Sequence, residues 1–448
     1  MHSPSENTPK LRYLVCGLSV RAIYHFVLPL LGKTQSEEDY SDVAEIVGII
    51  DPDRERVEEF CRKIDREIPW FNPALGIQKI IEDAAPDALL VTGPDFTHCD
   101  YIIAGLENDL RVISEKPVVI NCEEMKRVFE AERKSRGSLH VTHNFRYGDT
   151  SRRVKQLLLD KRIGRITNIE FVYNLDTNHG ASYFFRWNRV RAKSGGLSIH
   201  KSVHHIDYIN WLIESIPKSV FAYGALNYYG AKGAHRPKSS DGSALSPSQM
   251  REKCPYFQTN HGSRGVSPGK SPTTDWDKLS LPYATQYPQD RYIYDDEIDI
   301  EDTYSAVVQY RDGISMTYSC NFSTPWEGYT LAINGTEGRL EVYHHSNPDP
   351  SGSTPSPSEG DKIIIMPLFG GREEIIIPPP GGGHGGGDPL IRKDIFLSPT
   401  SESVRLKLPC SSHDAALAIA VGEGIWRSAK DGRPYTMKEL LGEFYHSR

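Results

Sequence analysis

The chain has 448 residues, 38% hydrophobic and 25% charged, with a formal net charge of −7. That length exceeds one ordinary core and predicts about two domains. The negative balance argues against a basic surface built for nucleic acid, and no apolar run reaches the ~20 residues that cross a bilayer. The seven cysteines are scattered, with no CxxC pair. This argues against a disulfide framework or a zinc knuckle and points to a reducing, cytoplasmic setting. The N-terminus "MHSPSENTPKLRYLV" lacks the charged-then-apolar layout of a signal peptide.

Residues 1–147 alternate strand and helix patterns, as βαβ units around a parallel sheet do. "RYLVCG" is a short apolar run ending in glycine, and "VAEIVGIID" a second ending at an acid. In "RERVEEFCRKI", Val57, Phe60, Cys61 and Ile64 share one helical face. "DALLVTG" and "LRVISE" read as buried strands flanking a helix, "HCDYIIAGLEND". Asn121 and Glu124 have capping-box spacing before "CEEMKRVFEAERK", and "SLHVTHNFRY" reads as a closing strand.

Residues 148–448 predict an α+β domain with a large, open, mostly antiparallel sheet. An amphipathic helix ends at Gly164, "RITNIEFVYNL" alternates as a strand, and "GGLSIHKSVHHIDYINWLIES" reads as helical. Four β-rich runs follow, with "RDG" and "NGTEG" as hairpin turns. Residues 231–290, 346–361 and 378–388 read as loops rich in Gly, Ser and Pro.

The first strand-to-helix turn, "GLSVRA", places Gly17, Ser19 and Ala22 at the three glycine positions of a dinucleotide fingerprint. The Ser19 hydroxyl can donate to a phosphate, although its side chain sits where backbone should approach. The second strand ends at Asp51, positioned for the adenosine ribose hydroxyls. A carboxylate there repels a 2′-phosphate, so NAD is the expected cofactor. Arg54 and Arg56 keep NADP open. The alternatives are an ordinary βα turn and, for Asp51, a helix N-cap.

"VTGPDFTH" (91–98), "SEKP" (114–117) and "HKSVHHID" (200–207), with "NGTEGRLE" and the closing "SSHDAALAIAVGEGIWRSAKDGRPYTMKELL", resemble the glucose–fructose oxidoreductase/inositol dehydrogenase/MocA family over nearly the whole chain. The resemblance implies an N-terminal Rossmann domain, a C-terminal sheet domain, a homodimer or homotetramer, and an NAD(P)-dependent dehydrogenase acting on a CH–OH group of a small carbohydrate-like substrate. It implies that Lys116 of the Glu-Lys-Pro motif lies beside the nicotinamide and the reacting hydroxyl, with His204 as the catalytic histidine. Val20, Arg21, Thr92, Pro94 and Glu115 join the expected cofactor site. His98 either lines that site or caps the following helix. The family often has an aspartate four residues before the histidine. Here that position is His200, which puts substrate choice in doubt.

Histidine suits proton exchange near neutral pH, and the Lys116 ammonium would stabilise developing alkoxide. Three residues beyond His204, Asp207 could orient its imidazole. His200 and His204, at i and i+4, could hold a metal with His179, His384 or an acid, but no metal is expected. His179, Tyr183, Arg186 and Trp187 suit a sugar; a structural aromatic cluster is the competing reading. Asn144 and Arg146 belong to a stretch that often borders the active site in the family. Two other outcomes stay open: a glycosidase or lyase using a transient internal oxidation, and a dinucleotide-binding regulator without turnover.

Overall fold

The computed structural model describes residues 9–34, 38–243, 245–254, 279, 281, 291–347, 359–379 and 384–446. Much of the expected 231–290 loop, residues 348–358 of the 346–361 loop and residues 380–383 of the 378–388 loop lie outside the described residues, as does the side chain of His384. Within the first of these loops, Pro247–Lys253 is a helix held by a capping box between Ser246 and Gln249.

The N-terminal sheet is built from β1 (Leu11–Cys16), β2 (Ala44–Ile50), β3 (Trp70–Phe71), β4 (Ala88–Val91), β5 (Arg111–Ser114) and β6 (Ser138–Val141). Its order is β3-β2-β1-β4-β5-β6, and all pairs are parallel. Its central strands are unbroken apolar runs because helices cover both faces; Val15, Leu89, Leu90, Val91 and Ile113 are fully buried. Helices Arg54–Ile64, His98–Glu107 and Cys122–Lys134 stand where the periodicity places them. The Asn121 side chain accepts from the Glu124 backbone N–H at 2.8 Å. β6 stops at Val141, earlier than the sequence pattern suggests, and Asn144–Tyr147 is a 3₁₀ turn.

The second sheet comprises β7 (Ile166–Asp176), β8 (Pro217–Ala225), β9 (Thr303–Tyr310), β10 (Ser315–Thr324), β11 (Glu327–Gly335), β12 (Gly338–Asn347), β13 (Asp361–Pro367), β14 (Glu373–Ile377) and β15 (Tyr435–Thr436). Its order is β14-β13-β12-β11-β7-β10-β9-β8-β15. Only the β7–β10 pair is parallel. Alternation sets its two faces: Tyr304, Ala306, Val308 and Tyr310 of β9 are buried, whereas Val307 is 50% exposed.

Helices Ser202–Ile213 and Ser412–Asp431 pack on this sheet. Gly422 permits the close approach of the latter to helix Leu197–His200, because a Cβ there would lie 2.4 Å from the Ser198 carbonyl oxygen. Its buried Glu423 accepts from the Cys122 backbone N–H at 2.5 Å, so a carboxylate caps the start of Cys122–Lys134 and ties the two halves together. A second tie is helix Asp388–Phe396, whose Phe396 ring packs edge-on against Tyr13 and Phe26.

Candidate active site

The turn after β1 is fixed by backbone geometry. Gly17 has φ +98°, and a Cβ on it would lie 2.4 Å from the Gly93 Cα. Only glycine fits such a cradle, which is what a pyrophosphate needs. Thr92 Oγ1 donates to the Gly17 carbonyl at 2.7 Å. Ser19 caps the short helix Val20–Ala22: its Oγ accepts from the Ala22 N–H at 3.0 Å, which leaves the hydroxyl hydrogen for a phosphate. Val20 and Ala22 are buried behind it.

Asp51 accepts from the Leu18 N–H at 2.8 Å and the Asp53 N–H at 2.9 Å. Burial pushes its carboxyl up, against these two bonds. Each oxygen keeps a lone pair for a ribose hydroxyl. Arg56 Nε donates to the Leu18 carbonyl at 2.8 Å. These residues fit a dinucleotide. Arg21, expected at the cofactor, pairs with Glu115 at 2.9 Å and with Asp388 at 3.4 Å. Asn144 also reaches Asp388, at 3.3 Å, so it stands on this side of the site.

After β5, Lys116 is held by its surroundings. Pro94 precedes the 3₁₀ turn Asp95–Thr97, which feeds the helix beginning at His98. The His98 ring bridges the Gly93 and Pro117 carbonyls, at 2.9 and 2.8 Å, so it ties the β4 and β5 ends together. Lys116 Nζ donates to the His200 carbonyl at 3.2 Å. Burial lowers the Lys116 ammonium to about 8, opposed by Asp95 and Glu115.

Asp95 carries no local sequence signal of a site residue. It is 3% exposed, and its Oδ2 lies 2.5 Å from His200 Nδ1. Burial raises its carboxyl to about 7, while burial and the nearby Lys116 charge push the His200 imidazole far down. The carboxylate absent at position 200 therefore returns from another element, set against the ring that replaced it.

His204 is half-buried, and its Nδ1 has no hydrogen-bond partner among the described residues. Burial, then Lys116 and Lys201, lower its imidazole well below the ordinary value. Asp207 does not orient it. Its two oxygens hold Arg146 Nε at 2.8 Å and Nη2 at 2.5 Å. Arg146, expected near substrate, is thereby committed to a buried ion pair and is 2% exposed. His200 and His204 do not share a continuous helical face, because the helix breaks at Lys201 between Leu197–His200 and Ser202–Ile213. Among the described residues, His143, Asp207 and Cys410 have metal-ligand spacing, but the Arg146 guanidinium already neutralises that carboxylate.

Helix Thr177–Phe185 and the turn after it bring the expected sugar-facing residues beside His200. The Tyr183 and Trp187 rings stand edge-on to the His200 ring, with centroids 5.4 and 5.6 Å away. Arg186 lies over the Tyr183 ring at 5.4 Å and donates to the Ser182 carbonyl at 3.0 Å. His179 contacts both Tyr183 and Glu327, at 3.0 and 2.9 Å. His205 is structural: it stacks on Tyr173 and contacts the Tyr318 hydroxyl at 2.7 Å. The site thus places a dinucleotide cradle next to a half-buried lysine, a half-buried histidine and an aromatic, polar wall.

Two family models match: "Oxidoreductase family, NAD-binding Rossmann fold" over residues 11–143, and "Oxidoreductase family, C-terminal alpha/beta domain" over 155–437. The chain is 41% identical over 430 residues to YteT of Bacillus subtilis (strain 168), covering 95% of this chain and 97% of that protein. It is 25% identical over 185 residues to myo-inositol 2-dehydrogenase of Thermotoga maritima, spanning 41% of this chain and 52% of the relative. A levoglucosan dehydrogenase structure in complex with NADH and levoglucosan superposes with TM-score 0.61 at 16% identity, covering 96% of this chain and 100% of that one. The chain belongs to the Gfo/Idh/MocA family of oxidoreductases, with an NAD-binding Rossmann domain and a C-terminal α/β domain.

Proposed function

We propose that this enzyme transfers a hydride between NAD and a secondary hydroxyl or ketone of a sugar, glycoside or cyclitol, with Lys116 and His204 handling the hydroxyl proton. The observation that carries the reading is Lys116. A half-buried ammonium lowered to about 8, anchored to the His200 carbonyl at the edge of the dinucleotide domain, is suited to an oxygen that gains charge during reaction. The bound nicotinamide supplies hydride acceptance and donation. His204 is held neutral and can take the hydroxyl proton as the C–H bond breaks. Trp187, Tyr183 and Arg186 offer a ring face and donors to the rest of a polyol. Asp51 favours NAD, with NADP as the alternative.

Exposed apolar residues on the outer sheet face, Tyr223 and Val307 at 70% and 50% exposure, support association of that face with a second copy. Light scattering of the purified protein tests this. The free thiols support a cytoplasmic setting. No helix among the described residues is long and apolar enough to cross a membrane. The activity test is absorbance at the reduced-nicotinamide band with NAD and a panel of sugars, glycosides and cyclitols. A rising band with a keto product supports the reading. Cleaved glycoside without a band would replace it with an internal redox cycle.

A further inference from the structure

One cluster in the cleft has no role in the hydride step. Tyr183, 5% exposed, points its hydroxyl at His179 Nε2, 3.0 Å away. His179 Nδ1 lies 2.9 Å from Glu327 Oε2 and 3.0 Å from Oε1. The His179 backbone N–H is fixed by Asp176 at 2.9 Å. With a carboxylate at Nδ1, that nitrogen carries the hydrogen, and Nε2 is left to accept from the phenol. The order is hydroxyl, imidazole, carboxylate, which is the arrangement that lets a weak acid act as a base. Both ends are buried and the middle reaches solvent: the Glu327 side chain is 7% exposed and that of His179 36%. Tyr183 meets the His200 ring, and the His200 carbonyl holds Lys116. Burial pushes the Tyr183 phenol up, opposed by the charges of Lys201 and Arg186, so the hydroxyl keeps its hydrogen and needs the imidazole to take it; Lys201 itself stands over the Tyr173 ring at 5.2 Å.

We propose that Tyr183, His179 and Glu327 form a second proton-transfer device, in which Tyr183 takes a proton from the carbon next to a substrate carbonyl. This rests on the reading that the cleft binds a sugar or cyclitol at its keto level. Lys116 and His204 already account for the hydroxyl proton. Oxidation acidifies the neighbouring C–H, so that is the proton left for a base in the same cleft. The C–H bond breaks and its proton moves to the Tyr183 oxygen. The electron pair enters the carbonyl system as an enolate, whose oxygen faces Lys116. The original Tyr183 proton passes to His179 Nε2, giving an imidazolium paired with Glu327. Nothing is oxidised or reduced in this step, and return of a proton from solvent through His179 completes exchange. The enzyme would then exchange, epimerise or eliminate at that carbon besides transferring hydride.

The test uses the full-length enzyme with NAD in deuterium oxide, offered a keto cyclitol and a methyl 3-ketoglycoside. Mass spectrometry reads deuterium uptake into the ketone. Wild type should exchange faster than buffer. Tyr183→Phe, His179→Gln and Glu327→Gln, each checked for fold by circular dichroism, should lose about 100-fold, the scale of a general base, and more than they lose in NADH oxidation by the same ketones. Exchange at the buffer rate in wild type, or at the wild-type rate in the variants, overturns the proposal. NADH oxidation without exchange refutes the relay alone, whereas exchange without NADH oxidation by either ketone refutes the hydride reading and leaves the relay standing.

Discussion

Replacing Lys116 by methionine should make the protein more stable at pH 7 while removing its activity. Burial lowers this ammonium from 10.5 to about 8, and each pH unit of such a change corresponds to about 1.4 kcal/mol. The charged form therefore costs the folded state about 3 kcal/mol. Its bond to the His200 carbonyl at 3.2 Å returns about 1–2 kcal/mol, so Lys116→Met should gain about 1–2 kcal/mol at pH 7. The pH dependence gives the sign. Between about 8 and 10.5 the folded protein has released this proton and the unfolded chain still holds it. Wild-type stability therefore gains a rising contribution across that window, and the methionine variant does not. The stability difference should change by about 3 kcal/mol from pH 7 to above pH 10, so that the variant passes from more stable to less stable than wild type. Urea denaturation of both proteins at each pH measures it. A variant less stable than wild type at pH 7, or a difference that does not change with pH, would refute a desolvated, charged Lys116.

Asp95→Asn removes the largest influence holding the Lys116 ammonium up. The alkaline limb of kcat/KM should move to lower pH by about one pH unit or more, and an unmoved limb would dissociate Asp95 from Lys116. Gly17→Val puts a side chain against the Gly93 backbone. NAD affinity by calorimetry should fall at least tenfold, about 1.4 kcal/mol, and unchanged affinity would contradict the cradle. Asp207→Asn removes the charge of the doubly bonded partner of buried Arg146, leaving the more exposed Asp414 at 3.6 Å. It should cost about 3–5 kcal/mol in denaturant unfolding, and a near-neutral effect would show that Arg146 finds another partner.

The sequence carried the sheet domains well because their signals are local. Parallel strands announce themselves as apolar runs such as "DALLV", and the outer sheet as alternation in β9 and β10. β8 was missed because Lys218 and Ser219 interrupt its pattern, and β3 because two residues carry no period. The site was legible where a motif lies in one stretch, as at Gly17 and Lys116. It was not legible where the chemistry is assembled from distant segments. Asp95 meets His200 across 105 residues, Glu327 meets His179 across 148, and Asp388 meets Arg21 across 367. No spacing rule reaches that far. Asp95 reads locally as a turn residue after Pro94, and Glu327 as part of a turn after Trp326. The break at Lys201 escaped notice for a related reason. The helical periodicity continues through it, and only the tertiary contacts of His200 and His204 reveal that the two rings face different partners.

In the proposed reaction, Lys116 and His204 act on a substrate oxygen beside bound NAD. The most direct measurement compares wild type, Lys116→Ala and His204→Ala for NADH formation with the sugar or cyclitol that wild type oxidises, alongside NAD affinity by calorimetry. Both variants should lose turnover by at least about 100-fold while binding NAD within a few-fold of wild type. Turnover retained in both variants would contradict these roles.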